Sequence, residues 1–235
     1  MKHYQHLFFD MDKTIAPARQ PMLPEMYALL SSLPHTIVIV SGSTLEQIAL
    51  QSHKLPAYTL GQNGNHATDE ADELLWHFPL DESHRKEILE HIALVTAALD
   101  HDLHHEWQPI EDRGGQITFS PLGNIAPVAL KMAYDPDASK RKALMEKVPF
   151  VSKDLVVKIG GSTSFDYIHK DRHKGTAVQR LIDHKGWHAE DALYFGDGLY
   201  PGGNDEAVIG IIDTVLVKDE QDTYQKLQDM FLKNN

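Results

Sequence analysis

Apolar and polar positions follow two rhythms along the chain. Short, nearly unbroken apolar runs occupy residues 5–9, 36–40, 57–60, 192–195 and 211–217. Their length and their β-branched and aromatic content predict strands, and the unbroken pattern suits strands buried on both faces. Between them lie segments with helical spacing at 25–32, 44–52, 174–184, 206–209 and 220–232. Leu33-Pro34 stops the first of these. Thr44, with Gln47 three residues on, predicts a capping-box start for the second. Residues 61–65, Gly-Gln-Asn-Gly-Asn, form a turn cluster, and 74–78 reads as a hairpin arm. Strands alternating with helices predict a parallel sheet.

The rhythm breaks between about residues 81 and 169. A helix over 81–99 is predicted from Ile88, Leu89, Ile92, Val95 and Leu99, all read as core. Strands at 103–107, 116–119, 155–159 and 164–168, with one helix near 137–147, follow without βα order. The expected organisation is therefore an α/β core, 1–80 plus 170–235, interrupted by an α+β insert at 81–169.

Composition narrows the function classes. The 235 residues include 22 Lys and Arg against 34 Asp and Glu, a formal charge of −12. That balance argues against nucleic acid or an anionic membrane as the main partner. With no cysteine, disulfide and thiolate chemistry are excluded. No apolar run reaches membrane-spanning length and the start lacks a signal-peptide pattern, so a soluble, cytoplasmic protein is expected. The cluster His101, His104 and His105 reads as polar surface, because its spacing specifies no zinc geometry. Trp76, Trp107 and Trp187 read as packing residues.

Four segments place chemistry at the ends of predicted elements. Asp10 and Asp12 follow the first strand, where side chains enter the crevice at the carboxyl edge of a sheet. Two adjacent carboxylates there need a cation or a shared proton. Ser41-Gly42-Ser43 opens a helix with hydroxyls and amides suited to phosphate oxygens. Lys174 stands at a helix start before Gly175. Residues 196–205, from Gly196 to Asp205, add Asp197, Asn204 and Asp205 on a glycine-rich loop.

Together these segments resemble the four motifs of the haloacid dehalogenase-like (HAD) phosphotransferases. Asp10, Asp12 and Thr14 match the Asp-x-Asp-x-Thr motif, with Lys13 where glycine is usual. The resemblance is narrower still to subfamily IIB and the eukaryotic-type phosphomannomutases. It is carried by Arg19 in Pro17–Gln20, by Gln62-Asn63-Gly64, and by Arg113 with Ser120-Pro121-Leu122-Gly123. Gly160-Gly161 with Ser164-Phe165-Asp166, and Pro201-Gly202-Gly203-Asn204-Asp205, complete it. It implies an HAD-like Rossmannoid core with an inserted C2-type cap.

The resemblance also implies roles. Asp10 is the expected nucleophile, forming an aspartyl-phosphate, and Asp12 the acid and base. Ser41, Gly42, Ser43 and Lys174 are expected to hold the phosphoryl oxygens, and Arg19 a phosphate. Mg²⁺ is the expected cofactor, held by Asp10, the backbone of Asp12, Asp197 and Asp205. Arg113, Asn124, Lys131, Ser164 and Asp166 are expected to read a small phosphorylated substrate, a hexose phosphate. Relatives pair through their caps, so a homodimer through the cap is the implied assembly. Two family arginines that bind the distal phosphate in the mutases are Asn124 and Lys131 here. Lysine lacks the bidentate fork of arginine, and asparagine lacks the charge. These departures favour a phosphatase over a phosphomannomutase. The intact Asp10, Asp12, Lys174 and Asp197 set aside a non-catalytic sugar-phosphate binder.

Overall fold

A computed structural model describes residues 2–232, which fall into two compact units. One unit joins residues 2–77 to 172–232, and the other is Phe78–Asp171. No helix among the described residues is long and apolar enough to cross a membrane.

The first unit opens with β1 (His6–Asp10), α1 (Pro24–Ser32), β2 (Thr36–Val40), α2 (Leu45–Gln51) and β3 (Tyr58–Gly61). A 3₁₀ turn at Gln62–Gly64 leads into the hairpin of β4 (His66–Thr68) and β5 (Leu74–His77). The insert contains α3 (Glu82–Ala97), β6 (Ile110–Asp112), β7 (Gln116–Phe119), α4 (Val128–Tyr134), α5 (Ser139–Lys147), β8 (Leu155–Gly160) and β9 (Ser164–His169). The chain then returns through α6 (Lys174–Lys185), β10 (Ala192–Gly196), β11 (Asp213–Leu216) and α7 (Glu220–Leu227).

The first unit is built on a seven-stranded sheet in the order β11-β10-β1-β2-β3-β4-β5. The strands from β11 to β3 are parallel, and β4 and β5 extend the sheet antiparallel. Every residue of β1 is buried, as expected of a central strand covered on both faces. Leu7 and Phe9 join Met26, Leu29 and Leu30 of α1 and Leu227 of α7 in one core. Phe8 points to the other face and meets the Trp187 ring edge-on. The chain leaves β1 for β2 on one side and returns to β10 on the other. That is the topological switch point, where open α/β sheets bind ligands.

The insert is a four-stranded antiparallel sheet, β6-β7-β9-β8. Ile88, Ile92 and Val95 of α3 pack with Ile117, Phe119, Leu155, Val157, Phe165 and Tyr167. His91 fastens the helix, bonding the Tyr167 hydroxyl at 2.8 Å and the Val148 carbonyl at 3.0 Å.

Several expectations need correction. Residues 103–107 form no strand; a 3₁₀ turn occupies His105–Trp107, and Gln108 takes a left-handed φ of 49°. The strand lies at Ile110–Asp112 instead, a sheet edge whose acidic side chains hide it from an apolar pattern. Leu89 is 46% exposed rather than core. The short β4 and the exposed α4 carry too little buried apolar surface to be predicted. The last helix ends at Leu227 and continues as a π turn over Gln228–Leu232. The last strand is shorter than 211–217, because Ile211 lies in a turn after Gly210 and Ile212 makes only an isolated bridge to Ile209. In the histidine cluster His104 and His105 are exposed and His101 is half-buried against Tyr134, with His101 on Asp100 and His104 on Glu106.

Candidate active site

Three parallel strands deliver the principal groups to one edge of the sheet. Asp10 ends β1 and pairs in register with Val40, the residue before Ser41. Phe9 pairs with Phe195, two residues before Asp197. Lys174 is the first residue of α6. Its neighbour Gly175 allows the close approach, since a Cβ there would sit 2.0 Å from the Ala207 carbonyl.

Lys174 is buried and donates to Asp10 Oδ1 at 2.5 Å and to Asp205 Oδ1 at 2.7 Å. Asp205 Oδ1 also accepts from the Tyr194 hydroxyl at 2.7 Å, and its Oδ2 from the Gly198 amide at 3.0 Å. Carboxylate oxygens of Asp10, Asp197 and Asp205 all lie within 4.8 Å of one another, the only such group among the described residues. The Asp197 amide donates to Thr14 Oγ1 at 3.2 Å, tying the last loop to the first motif. Gly203 lets that loop fold tightly, since a Cβ there would sit 2.0 Å from the Gly198 carbonyl.

The site's electrostatics follow from burial. Removal from water pushes the Asp10 carboxyl up to about 7, against the opposing pull of Lys174. Burial also raises Asp197, with Asp205 adding to it. Burial works against the Lys174 ammonium, but Asp10 and Asp205 outweigh it and the net shift is upward. One buried ammonium thus faces three carboxylates. The surplus negative charge, presented entirely through oxygen donors, fits a hard divalent cation such as Mg²⁺.

Asp12 is set apart. Its Oδ1 accepts from the Arg19 backbone amide at 2.7 Å and from Gln51 Nε2 at 3.0 Å. Lys13 and Arg19 both adopt left-handed backbone, φ 59° and 56°, and both side chains are exposed. The first of these explains why glycine is usual at position 13. Ser41 is buried, and its Oγ accepts from the Ser43 amide at 3.1 Å. Its carbonyl accepts from the Asn63 amide at 2.9 Å, and Gly42 faces the Asn63 side chain.

The five candidates of the insert are held differently. Arg113 donates to Glu111 at 2.7 Å. Asn124 Nδ2 donates to the carbonyls of Gln108, Pro109 and Thr118, so its amide braces the loop. Lys131 Nζ donates to the Asn124 carbonyl at 2.9 Å. Asp166 Oδ1 accepts from Thr118 Oγ1 at 2.9 Å, and Gly160 leaves room for its carboxylate. Ser164 pairs with Gly160 across the β8–β9 ladder.

Sequence reasoning missed Tyr194 and Gln51. Tyr194 sits in an apolar strand and was indistinguishable from core by pattern. A signal existed all the same, since a buried tyrosine hydroxyl needs a partner. Gln51 lies at the end of α2 with no motif around it.

A family model described as eukaryotic phosphomannomutase matches residues 28–233. The phosphomannomutase of Spinacia oleracea is 28% identical over 240 residues, covering 95% of this chain and 94% of that protein. Phosphomannomutase 1 of Mus musculus is 27% identical over 246 residues, covering 95% and 90%. Among solved structures, Plasmodium falciparum IMP-nucleotidase aligns with a TM-score of 0.66 at 14% identity, covering 99% of this chain and 70% of that one. A haloacid dehalogenase-like hydrolase from B. subtilis aligns with a TM-score of 0.65 at 14% identity, covering 97% and 100%. These structural likenesses bear on the fold alone. The match over nearly the whole length bears on descent: the chain belongs to the eukaryotic phosphomannomutase family and is an enzyme of the HAD phosphotransferase type.

Proposed function

We propose that this enzyme takes the phosphoryl group of a hexose phosphate onto Asp10 and passes it chiefly to water. The observation that carries the chemistry is the surplus of buried carboxylate around Lys174. Asp10, Asp197 and Asp205, with the backbone of Asp12, would hold Mg²⁺, which when bound offsets the repulsion between an anionic ester and an anionic nucleophile.

The residues themselves divide the work. Asp10 attacks phosphorus, and the P–O bond to the leaving oxygen breaks. Asp12 gives that oxygen a proton, then takes one from the attacking water. Lys174, held in place by Asp205, meets the charge on the phosphoryl oxygens. Ser41, the Gly42 amide and the Ser43 hydroxyl add neutral donors, and the exposed Arg19 a cation. Arg113, Lys131, Ser164 and Asp166 are proposed to read the sugar and its distal groups.

Water is favoured as the acceptor because Asn124, bound to three backbone carbonyls, offers a distal phosphate no charge. The second reading is a phosphomannomutase, and the family match favours it. One experiment separates the two. A panel of hexose 1- and 6-phosphates is incubated with Mg²⁺, with and without a hexose bisphosphate, and assayed for free phosphate and for isomer. Free phosphate without isomer is the expected result, whereas isomer formation outrunning phosphate release rejects the phosphatase reading. The exposed Leu89 and Leu94 of α3 support pairing of two copies through the insert, which sedimentation velocity tests.

A further inference from the structure

We infer that Gln51 is the positioning residue for the Asp12 carboxylate. The inference rests on the reading of Asp12 as the acid for the leaving oxygen, and adds how that acid is aimed. Gln51 is the last residue of α2, and three bonds stitch it to Asp12 and to the segment after the first motif. Its carbonyl accepts from the Met22 amide at 2.7 Å. Its Nε2 donates to the Gln20 carbonyl at 3.2 Å and to Asp12 Oδ1 at 3.0 Å. The Arg19 amide, turned by the left-handed φ of 56°, completes the clamp on the same oxygen at 2.7 Å.

The clamp is one-sided. Both donors hold Oδ1, while Oδ2 has no hydrogen bond among the described residues. One oxygen is therefore anchored and the other is open to exchange a proton with the reacting ester. In the first half-reaction, the bond from Asp10 to phosphorus forms as the ester P–O bond breaks. The electron pair stays on the leaving oxygen, and the Asp12 proton converts it to the sugar hydroxyl. A carboxyl free to swing about Cα–Cβ would reach that geometry less often, so the anchor bears on the proton step in particular.

A nitrophenyl phosphate separates positioning from mere stability, because its phenolate leaves without a proton. The measured quantity is kcat/KM, which reports the steps through leaving-group departure, on a hexose 6-phosphate and on p-nitrophenyl phosphate. Gln51→Leu is expected to lower the hexose value about tenfold to thirtyfold, the scale of one hydrogen bond to a charged group. The aryl value should change less than about threefold. His53→Ala is the control, since His53 Nε2 bonds the Met22 carbonyl at 2.9 Å and fastens the same segment without touching Asp12. It should leave the ratio of the two values at the wild-type level. Asp12→Asn should lose about 10²-fold or more on the hexose ester with far less loss on the aryl ester. Equal losses on both esters in Gln51→Leu, or no loss on either, would overturn the positioning role while Asp12→Asn still discriminates. If Asp12→Asn does not discriminate, the reading of Asp12 as acid has failed, and the inference falls with it.

Discussion

Lys174 in the sheet unit and Arg141 in the insert are both buried cations, and they are balanced in opposite ways. Arg141 donates from Nε to Asp135 at 2.6 Å and from Nη1 to the carbonyls of Gly160, Gly161 and Ser164. Asp135 in turn accepts from the amides of Lys140 and Arg141 at the start of α5. One charge meets one charge, and the remaining donors meet neutral carbonyls. Lys174 instead lies among three carboxylates, two of them in contact with it. A neutralised buried pair with its lone pairs and protons satisfied is a structural device, whereas an unneutralised one needs a further charge to complete it. Burial alone does not distinguish a structural ion pair from a reactive one; the charge sum does.

Substitutions beside the two buried cations separate their roles most visibly. Asp10→Asn is expected to lower kcat on a hexose phosphate by at least about 10³-fold. It should leave Tm unchanged or raised, because it removes one of the surplus carboxylates. Steady-state kinetics and a thermal melt on the same preparation check both halves. Asp135→Asn should do the reverse at the level of stability, costing about 3–5 kcal/mol by leaving the Arg141 charge unpaired.

The Asp135 pair also has a pH signature. Burial works to raise this carboxyl, but Arg141 and the amides of α5 outweigh it and hold it below the ordinary range. A depressed folded-state pKa contributes stability that is fully present above the unfolded value of about 3.9. It is lost as pH falls through the lower folded value. Urea midpoints between pH 3 and pH 7 should therefore fall less steeply in Asp135→Asn than in wild type.

Smaller effects sharpen the other side. Mg²⁺ at about a hundred times its Kd should stabilise the wild type by about 2.7 kcal/mol. Asp197→Asn should abolish most of that gain, and a thermal melt across a Mg²⁺ titration measures it. Lys13→Gly should stabilise by about 0.5–1 kcal/mol, because the left-handed backbone at φ 59° suits glycine. Denaturant unfolding reads that change.

The same contrast explains what the amino-acid sequence disclosed. Asp10, Lys174, Asp197 and Asp205 were legible because each sits at an element boundary that apolar periodicity or glycine punctuation marks. The parallel order of β1, β2 and β10 followed from the same signals. Arg141 was illegible: α5 reads Ser-Lys-Arg-Lys-Ala-Leu-Met-Glu-Lys, and nothing local selects one of its basic residues for burial. Its partners on the Gly160–Ser164 turn are brought near only by the fold. Gln51 and Tyr194 escaped for the same reason, since their partners are 39 and 11 positions away. Polar residues that act through long-range contacts leave no periodic trace, and the acidic edge strand β6 was missed because its exposure removed the apolar pattern.

The surplus charge around Lys174 is proposed to serve phosphoryl transfer to Asp10. Rapid acid quench of the enzyme turning over a hexose phosphate with Mg²⁺, followed by peptide mass spectrometry, tests it most directly. One hydroxylamine-labile phosphoryl group is expected on Asp10, absent from Asp10→Asn. Steady release of phosphate with no label on Asp10, or with the label on another residue, would contradict it.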